Sequence, residues 1–123
     1  MPELWGGYWM NLKLYTIGPI TGKPKDNKPL FKEVQRTLKA HGYTCLIPHD
    51  YVLPGTDWKD AMCISITAML RLNQNDGVTK PAFDGIAMLD GWEESRGARI
   101  EHELAEIWGI PCKPWREWIK ESA

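Results

Sequence analysis

Short apolar, β-favouring runs that end on glycine or proline, separated by stretches with helical spacing, limit this chain to few architectures. Residues 11–17 (NLKLYTI) are mostly apolar or β-favouring and stop at Gly18-Pro19, as a buried strand feeding a loop does. The loop through Asp26 is rich in Gly, Pro and Lys. Asn27 and Pro29 then give a helix-start signal, and Leu30, Phe31, Val34 and Leu38 recur at helical spacing. The pattern predicts a helix over residues 29–40, stopped by Gly42, and a second strand over 43–47 (YTCLI) that ends at Pro48. Strand, helix and strand in this order form a βαβ unit, whose crossover is right-handed in nearly all known cases.

The remainder continues the alternation. Residues 57–72 (DWKDAMCISITAMLRL) carry Asp57 as a cap and Ala61, Ile64, Ala68 and Leu72 at helical spacing, which predicts a second helix. Residues 73–81 (NQNDGVTKP) form a polar turn cluster, expected to be an exposed loop, and 83–89 (FDGIAML) read as a third strand. The clearest helix spans 95–108; a short fourth strand at 110–113 follows the Gly109 stop, and 114–120 close the chain as an amphipathic helix. No repeat or linker divides the sequence, and 123 residues are enough for one core and too few for two. The expectation is one α/β domain over residues 11–123, preceded by an N-terminal arm over 1–10 without clear periodicity. Its architecture is a three-layer, Rossmann-like or flavodoxin-like parallel sheet of four to five strands with flanking helices, and ligands belong at the carboxyl ends of the strands.

Fifteen basic against sixteen acidic residues give no basic excess for a nucleic-acid backbone or an anionic membrane. No apolar run approaches the roughly 18 residues needed to span a bilayer, and the start lacks the pattern of a secretion signal, so a cytoplasmic protein is expected. Cys45, Cys63 and Cys112 are odd in number and far apart, which points to reduced core thiols rather than a disulfide framework or zinc cage. Seven tryptophans are many for this length. Trp5, Trp9, Trp92, Trp108, Trp115 and Trp118 lie toward the two ends, and some are expected at a ligand cleft or subunit contact, others half-covered at the surface.

Three loops leave carboxyl strand ends and should share one rim: residues 18–22 (GPITG), 48–50 (PHD) and 90–95 (DGWEES). The first fits neither the phosphate-loop pattern nor the dinucleotide fingerprint, so an ATPase or dehydrogenase finds no support. Projecting the 95–108 helix at about 100° per residue places Ile100, Leu104, Ile107, Gly97, Trp108, Ala105 and Ala98 on one arc, with Arg99, His102, Glu103 and Glu106 opposite. Glu101 falls inside the apolar arc. Burying a carboxylate is costly unless it is paired or hydrogen-bonded, so Glu101 is either a functional acid or a structural one bonded to Tyr15 or a loop amide. Ser95 is a good N-cap, and with the amides of Arg96 and Gly97 it presents donors to an anion; capping alone accounts for it as well. Arg96 adds positive charge, Gly97 permits close approach, and Trp92 has the choice of stacking on a base or simply packing.

The segments LYTIGPITGKP, Asn27-x-Pro29-x-Phe31, LIP and DGWEESRGARIEHELAEIWGIP together resemble a small family frequent in phages and bacteria, within the nucleoside 2-deoxyribosyltransferase-like superfamily. The resemblance covers about residues 12–111, and the spacing Ser95-x-Gly97-x-x-x-Glu101 is its most specific part. It implies Glu101 as the nucleophile that attacks C1′ of a nucleoside or nucleotide, with Tyr15 holding that Glu. It also implies Gly18 and Gly97 along the sugar-phosphate pocket and Ser95 receiving a 5′-phosphate; Pro19, beside Gly18, is a further substrate-binding candidate. The resemblance leads one to expect an acid in the second helix about where Ser65 stands; Asp57 and Asp60 do not match that position.

Three functions follow from these readings. The first is an N-glycosidase or 2-deoxyribosyltransferase acting on a nucleoside or nucleoside 5′-monophosphate, with no metal or redox cofactor. The second is a nucleotide-binding protein without turnover, and the third is an interaction module that uses a Trp-rich surface. The expected partner is a small molecule rather than a nucleic acid polymer or a membrane. The resemblance further implies a homodimer or larger homo-oligomer, because superfamily members often complete their sites across a subunit boundary.

Overall fold

The computed structural model describes residues 11–122; the arm read over residues 1–10, with Trp5 and Trp9, lies outside them. Four parallel strands form the central sheet in the order β2-β1-β5-β6: β1 (Lys13–Ile17), β2 (Thr44–Leu46), β5 (Gly85–Met88) and β6 (Cys112–Pro114). Pairs such as Lys13 with Thr44, Tyr15 with Ile86, and Ile86 with Cys112 set the register. Helices α1 (Lys28–Ala40), α2 (Trp58–Met69), α3 (Arg96–Ile107) and α4 (Trp115–Glu121) complete the three-layer, Rossmann-like α/β fold that the alternation predicts.

The side-chain alternation of β1 divides the core in two. Leu14 joins Phe31, Val34, Leu38, Cys45 and Trp118 on the α1/α4 side. Tyr15 and Ile17 join Met69, Ile86, Ala98 and Ala105 on the α2/α3 side. β5 and the residue after it repeat the division, with Ala87 and Leu89 on the first side and Ile86 and Met88 on the second. Both faces are covered, which is why these strands read as continuous apolar runs. Chain order reverses at β1, since β2 lies on one side of it and β5 on the other. The loops after β1 and β5 therefore diverge and leave a crevice beyond the carboxyl ends of the strands.

Two thiols and two segments differ from the sequence reading: Cys45 is buried as expected, whereas Cys63 on α2 is exposed and Cys112 half-buried. Residues 73–80 are exposed as expected and Pro81 is half-buried, yet the segment is not a loop: β3 (Leu72–Asn75) and β4 (Val78–Pro81) form an antiparallel hairpin, and Leu72 belongs to a strand rather than to the second helix. Asp76 and Gly77, both left-handed at φ 53 and 77, make the two-residue turn whose twist suits a hairpin. Asn27 precedes α1 but does not cap it. Its backbone is left-handed (φ 57), following Lys25 and Asp26 in the same region, and its side-chain amide donates to the Pro19 carbonyl at 2.9 Å. The side chain thus ties down the first loop.

Gly85 sets the approach of α4 to the sheet. A Cβ there would lie 2.5 Å from Trp118 Cη2 and 3.0 Å from Leu14 Cδ2, while the Trp118 indole donates to the Ile86 carbonyl at 2.9 Å and cannot shift without losing that bond. Gly85→Ala is expected to lower the unfolding free energy by about 1–3 kcal/mol, as overpacking of a filled core does. Urea denaturation of the variant beside the wild type checks this; equal midpoints would contradict it.

Candidate functional site

The three loops predicted to share a rim do so. Gly18 to Lys23, Pro48 and His49, and Asp90, Gly91, Glu94 and Ser95 border a cleft of about 1110 Å3, joined by the loop that leads into α2 and by the first turns of α2 and α3. The second loop is tied to the first. His49 donates from Nε2 to the Asp26 carbonyl at 2.8 Å and packs its ring on Phe31, leaving Nδ1 buried without a partner among the described residues. Asp50 does not line the cleft; its Oδ2 accepts from the Ile47 amide and from Gln35, both at 2.9 Å.

Glu101 lies in the wall of this cleft with 4% of its surface exposed. The helix buries Ala98, Glu101 and Ala105, three positions on one stripe. The two alanines let α3 lie close to the sheet, whereas Ile107 and Trp108, on the predicted apolar arc, remain 62% and 50% exposed at the far end of the helix. A carboxylate in the middle of that stripe needs a donor, and Ser65 of α2 supplies one: its Oγ donates to Glu101 Oε2 at 2.5 Å. Tyr15 sits behind Ser65, fully buried on β1, with its hydroxyl 2.5 Å from the same Oγ. Tyr15 therefore reaches the acid through Ser65 rather than directly, and it does not line the cleft.

Burial raises the Glu101 pKa to about 7, an increase that the Ser65 hydrogen bond tempers. Burial, with the Glu101 charge next in weight, holds the Tyr15 phenol well above its usual value, so Tyr15 keeps its proton. A carboxyl group near 7 changes charge around neutral pH, and this one is open to the cleft. Such a group is suited to nucleophilic or acid–base chemistry.

The remaining predicted residues fall unevenly. Gly18 and Pro19 line the cleft, and a Cβ on Gly18 would lie 2.7 Å from Leu89 Cβ, so glycine there lets the first loop cross the end of β5. Ser95, Arg96 and Gly97 line it too. The Ser95 hydroxyl caps α3 by accepting from the Ala98 amide at 3.2 Å, which leaves the Arg96 and Gly97 amides at the cleft end of the helix. The space a Gly97 side chain would fill is taken by Met62, whose Sδ is 2.8 Å from the ideal Cβ. Trp92 is not in the cleft wall. Following left-handed Gly91 (φ 84), it turns away to pack on His102, with ring centroids 4.5 Å apart, and against the α2/α3 core.

The aromatic side chain that does line the cleft is Trp58, the first residue of α2, with the Arg96 guanidinium 4.9 Å above its ring. Its position directly after the Asp57 cap, which accepts from the Lys59 amide at 3.1 Å, was the available signal, because a helix start following β2 sits on the same rim. Among the described residues no group of three or more metal-ligating side chains occurs, and no helix is long and apolar enough to cross a membrane.

A family model described as "Domain of unknown function (DUF4406)" matches residues 12–113. The chain belongs to that family. Its matched span contains the whole parallel sheet except the last residue of β6, together with Tyr15, Ser65, Ser95 and Glu101. A comparison with curated proteins gave no match.

The burial of Glu101 generates a stability prediction with a definite sign. Its folded pKa lies above the unfolded value of 4.5, so its contribution is fully present below that value and is lost as pH rises through about 7. Glu101→Gln, which cannot ionise and can still accept from Ser65, is expected to match the wild type near pH 4 and to exceed it by about 3 kcal/mol at pH 8. Denaturant unfolding at the two pH values measures this, and a difference independent of pH would contradict it.

Proposed function

We propose that this protein cleaves the N-glycosidic bond of a nucleoside or nucleoside 5′-monophosphate, as a hydrolase or a deoxyribosyltransferase of the nucleoside 2-deoxyribosyltransferase-like superfamily. The observation that carries this reading is the buried Glu101 carboxyl in the wall of an open cleft, hydrogen-bonded through Oε2 to Ser65. In the proposed reaction an oxygen of ionised Glu101 attacks C1′, the C1′–N bond breaks, and the base leaves with the bonding electrons and takes up a proton. Water or a second base then attacks C1′ and releases the sugar from the carboxylate. A carboxylate nucleophile divides one hard displacement into two easier ones. The capped start of α3, with the Arg96 and Gly97 amides and the Arg96 guanidinium, is the proposed place for a 5′-phosphate.

A second reading, nucleotide binding without turnover, draws on Ser65: a hydroxyl occupies the α2 position where the superfamily resemblance leads one to expect an acid. Incubation with a panel of nucleosides and 5′-monophosphates, followed by chromatography for free base, separates the two. The first reading predicts base release that rises with pH through about 7, as Glu101 ionises, and that vanishes in Glu101→Ala. Thermal stabilisation by one nucleotide with no base release would favour the second.

A further inference from the structure

Ser65 stands at the junction of three elements, and its single proton fixes the order of the contacts around it. That proton goes to Glu101 Oε2, so the Tyr15 phenol, 2.5 Å away on the other side, must donate to Ser65 Oγ. The bonds form a one-way chain from Tyr15 on β1, through Ser65 on α2, to Glu101 on α3, and all three side chains are buried. Among the described residues the Glu101 carboxyl accepts from Ser65 through Oε2, Tyr15 bonds Ser65 rather than Glu101, and Glu101 borders the cleft. We propose that Ser65 is the positioning residue of the site: it fixes the Glu101 carboxylate through Oε2 and presents Oε1 to the substrate, while Tyr15 acts on the carboxylate only by orienting the Ser65 hydroxyl.

The groups around Glu101 leave this role to Ser65. β1 contributes the neutral Tyr15 and α2 contributes Ser65. On α3 itself Arg96 lies over Trp58, and His102 is engaged by Trp92 and by Glu106 at 3.6 Å. Across the cleft Asp90 is paired with Arg116 at 2.9 Å. The hydroxyl keeps a donor on the carboxylate, and hydrogen bonding to the charged form favours that form. An acid in this place would instead set two carboxyl groups side by side, where like charge disfavours ionising both. The chain also implies a hierarchy. Removing the Ser65 hydroxyl severs both bonds, whereas removing the Tyr15 hydroxyl leaves the bond between Ser65 and Glu101 in place.

The catalytic part of this assignment rests on Glu101 being the nucleophile; the effect on its carboxyl group does not. The test is a pH titration of the Glu101 carboxyl carbon by NMR in the full chain, with labelled glutamate and Glu101→Gln to assign the signal. Ser65→Ala is expected to raise the Glu101 pKa by about one unit or more, Tyr15→Phe by clearly less, and Ser65→Thr hardly at all. If Ser65→Ala does not fold, Ser65→Cys, with its weaker donor, is expected to give a smaller rise in the same direction. In the base-release assay, Ser65→Ala is expected to shift the acid limb of kcat/KM upward by the titrated amount and to lower kcat roughly tenfold with little change in KM. A Glu101 titration unmoved by loss of the Ser65 donor, or moved more by Tyr15→Phe, would overturn the assignment even if base release occurs. The predicted titration with no base release from any nucleotide would uphold the Ser65 hold on the carboxyl group and count against the proposed function.

Discussion

The cleft is organised around a carboxyl group that is largely shut off from water. α3 lies close to the sheet because its buried stripe is small at Ala98 and Ala105, and that closeness places Glu101 where solvent cannot stabilise its charge. Two hydroxyls answer this constraint, one from the central strand and one from α2. The three loops, the glycines that let them pass and the capped start of α3 then form the walls above the acid. A site assembled this way joins an electrostatic requirement to a packing one. Ser65 has to be small enough to fit between Tyr15 on β1 and Glu101 on α3 and polar enough to hold an acid.

Much of this was legible in the sequence because the relevant signals are local. Gly18-Pro19, Gly42, Pro48 and Gly109 punctuate the strands and helices, and the helical period of α3 displays Glu101 on the wrong face for a solvated acid. The identity of its holder was less legible. Tyr15 has the right parity on β1 to face α3, and only the packed structure shows that Ser65 intervenes. Contacts 50 and 36 residues apart in sequence leave no periodic trace in a single chain.

The misread elements have equally specific causes. The hairpin was hidden by polar composition: residues 72–80 face solvent, so the apolar alternation that marks a half-buried strand is missing, although Asp76-Gly77 carried the turn signal. Trp92 was open to either stacking on a base or packing, and left-handed Gly91 turns its ring onto His102. Trp58 occupies the cleft instead, since the start of a helix that follows a parallel strand lies on the same rim. Ser95 combines two roles that sequence alone could not separate, capping α3 and bordering the cleft.

The central claim is that Glu101 forms a bond to the sugar. The most direct measurement is rapid acid quenching of the protein during incubation with a nucleoside or 5′-monophosphate, followed by peptide mass spectrometry. The account predicts a mass increase equal to the sugar or sugar phosphate residue on the peptide that contains Glu101, absent in Glu101→Gln. Base release with no such adduct in the wild type, or with the adduct on another residue, would contradict it.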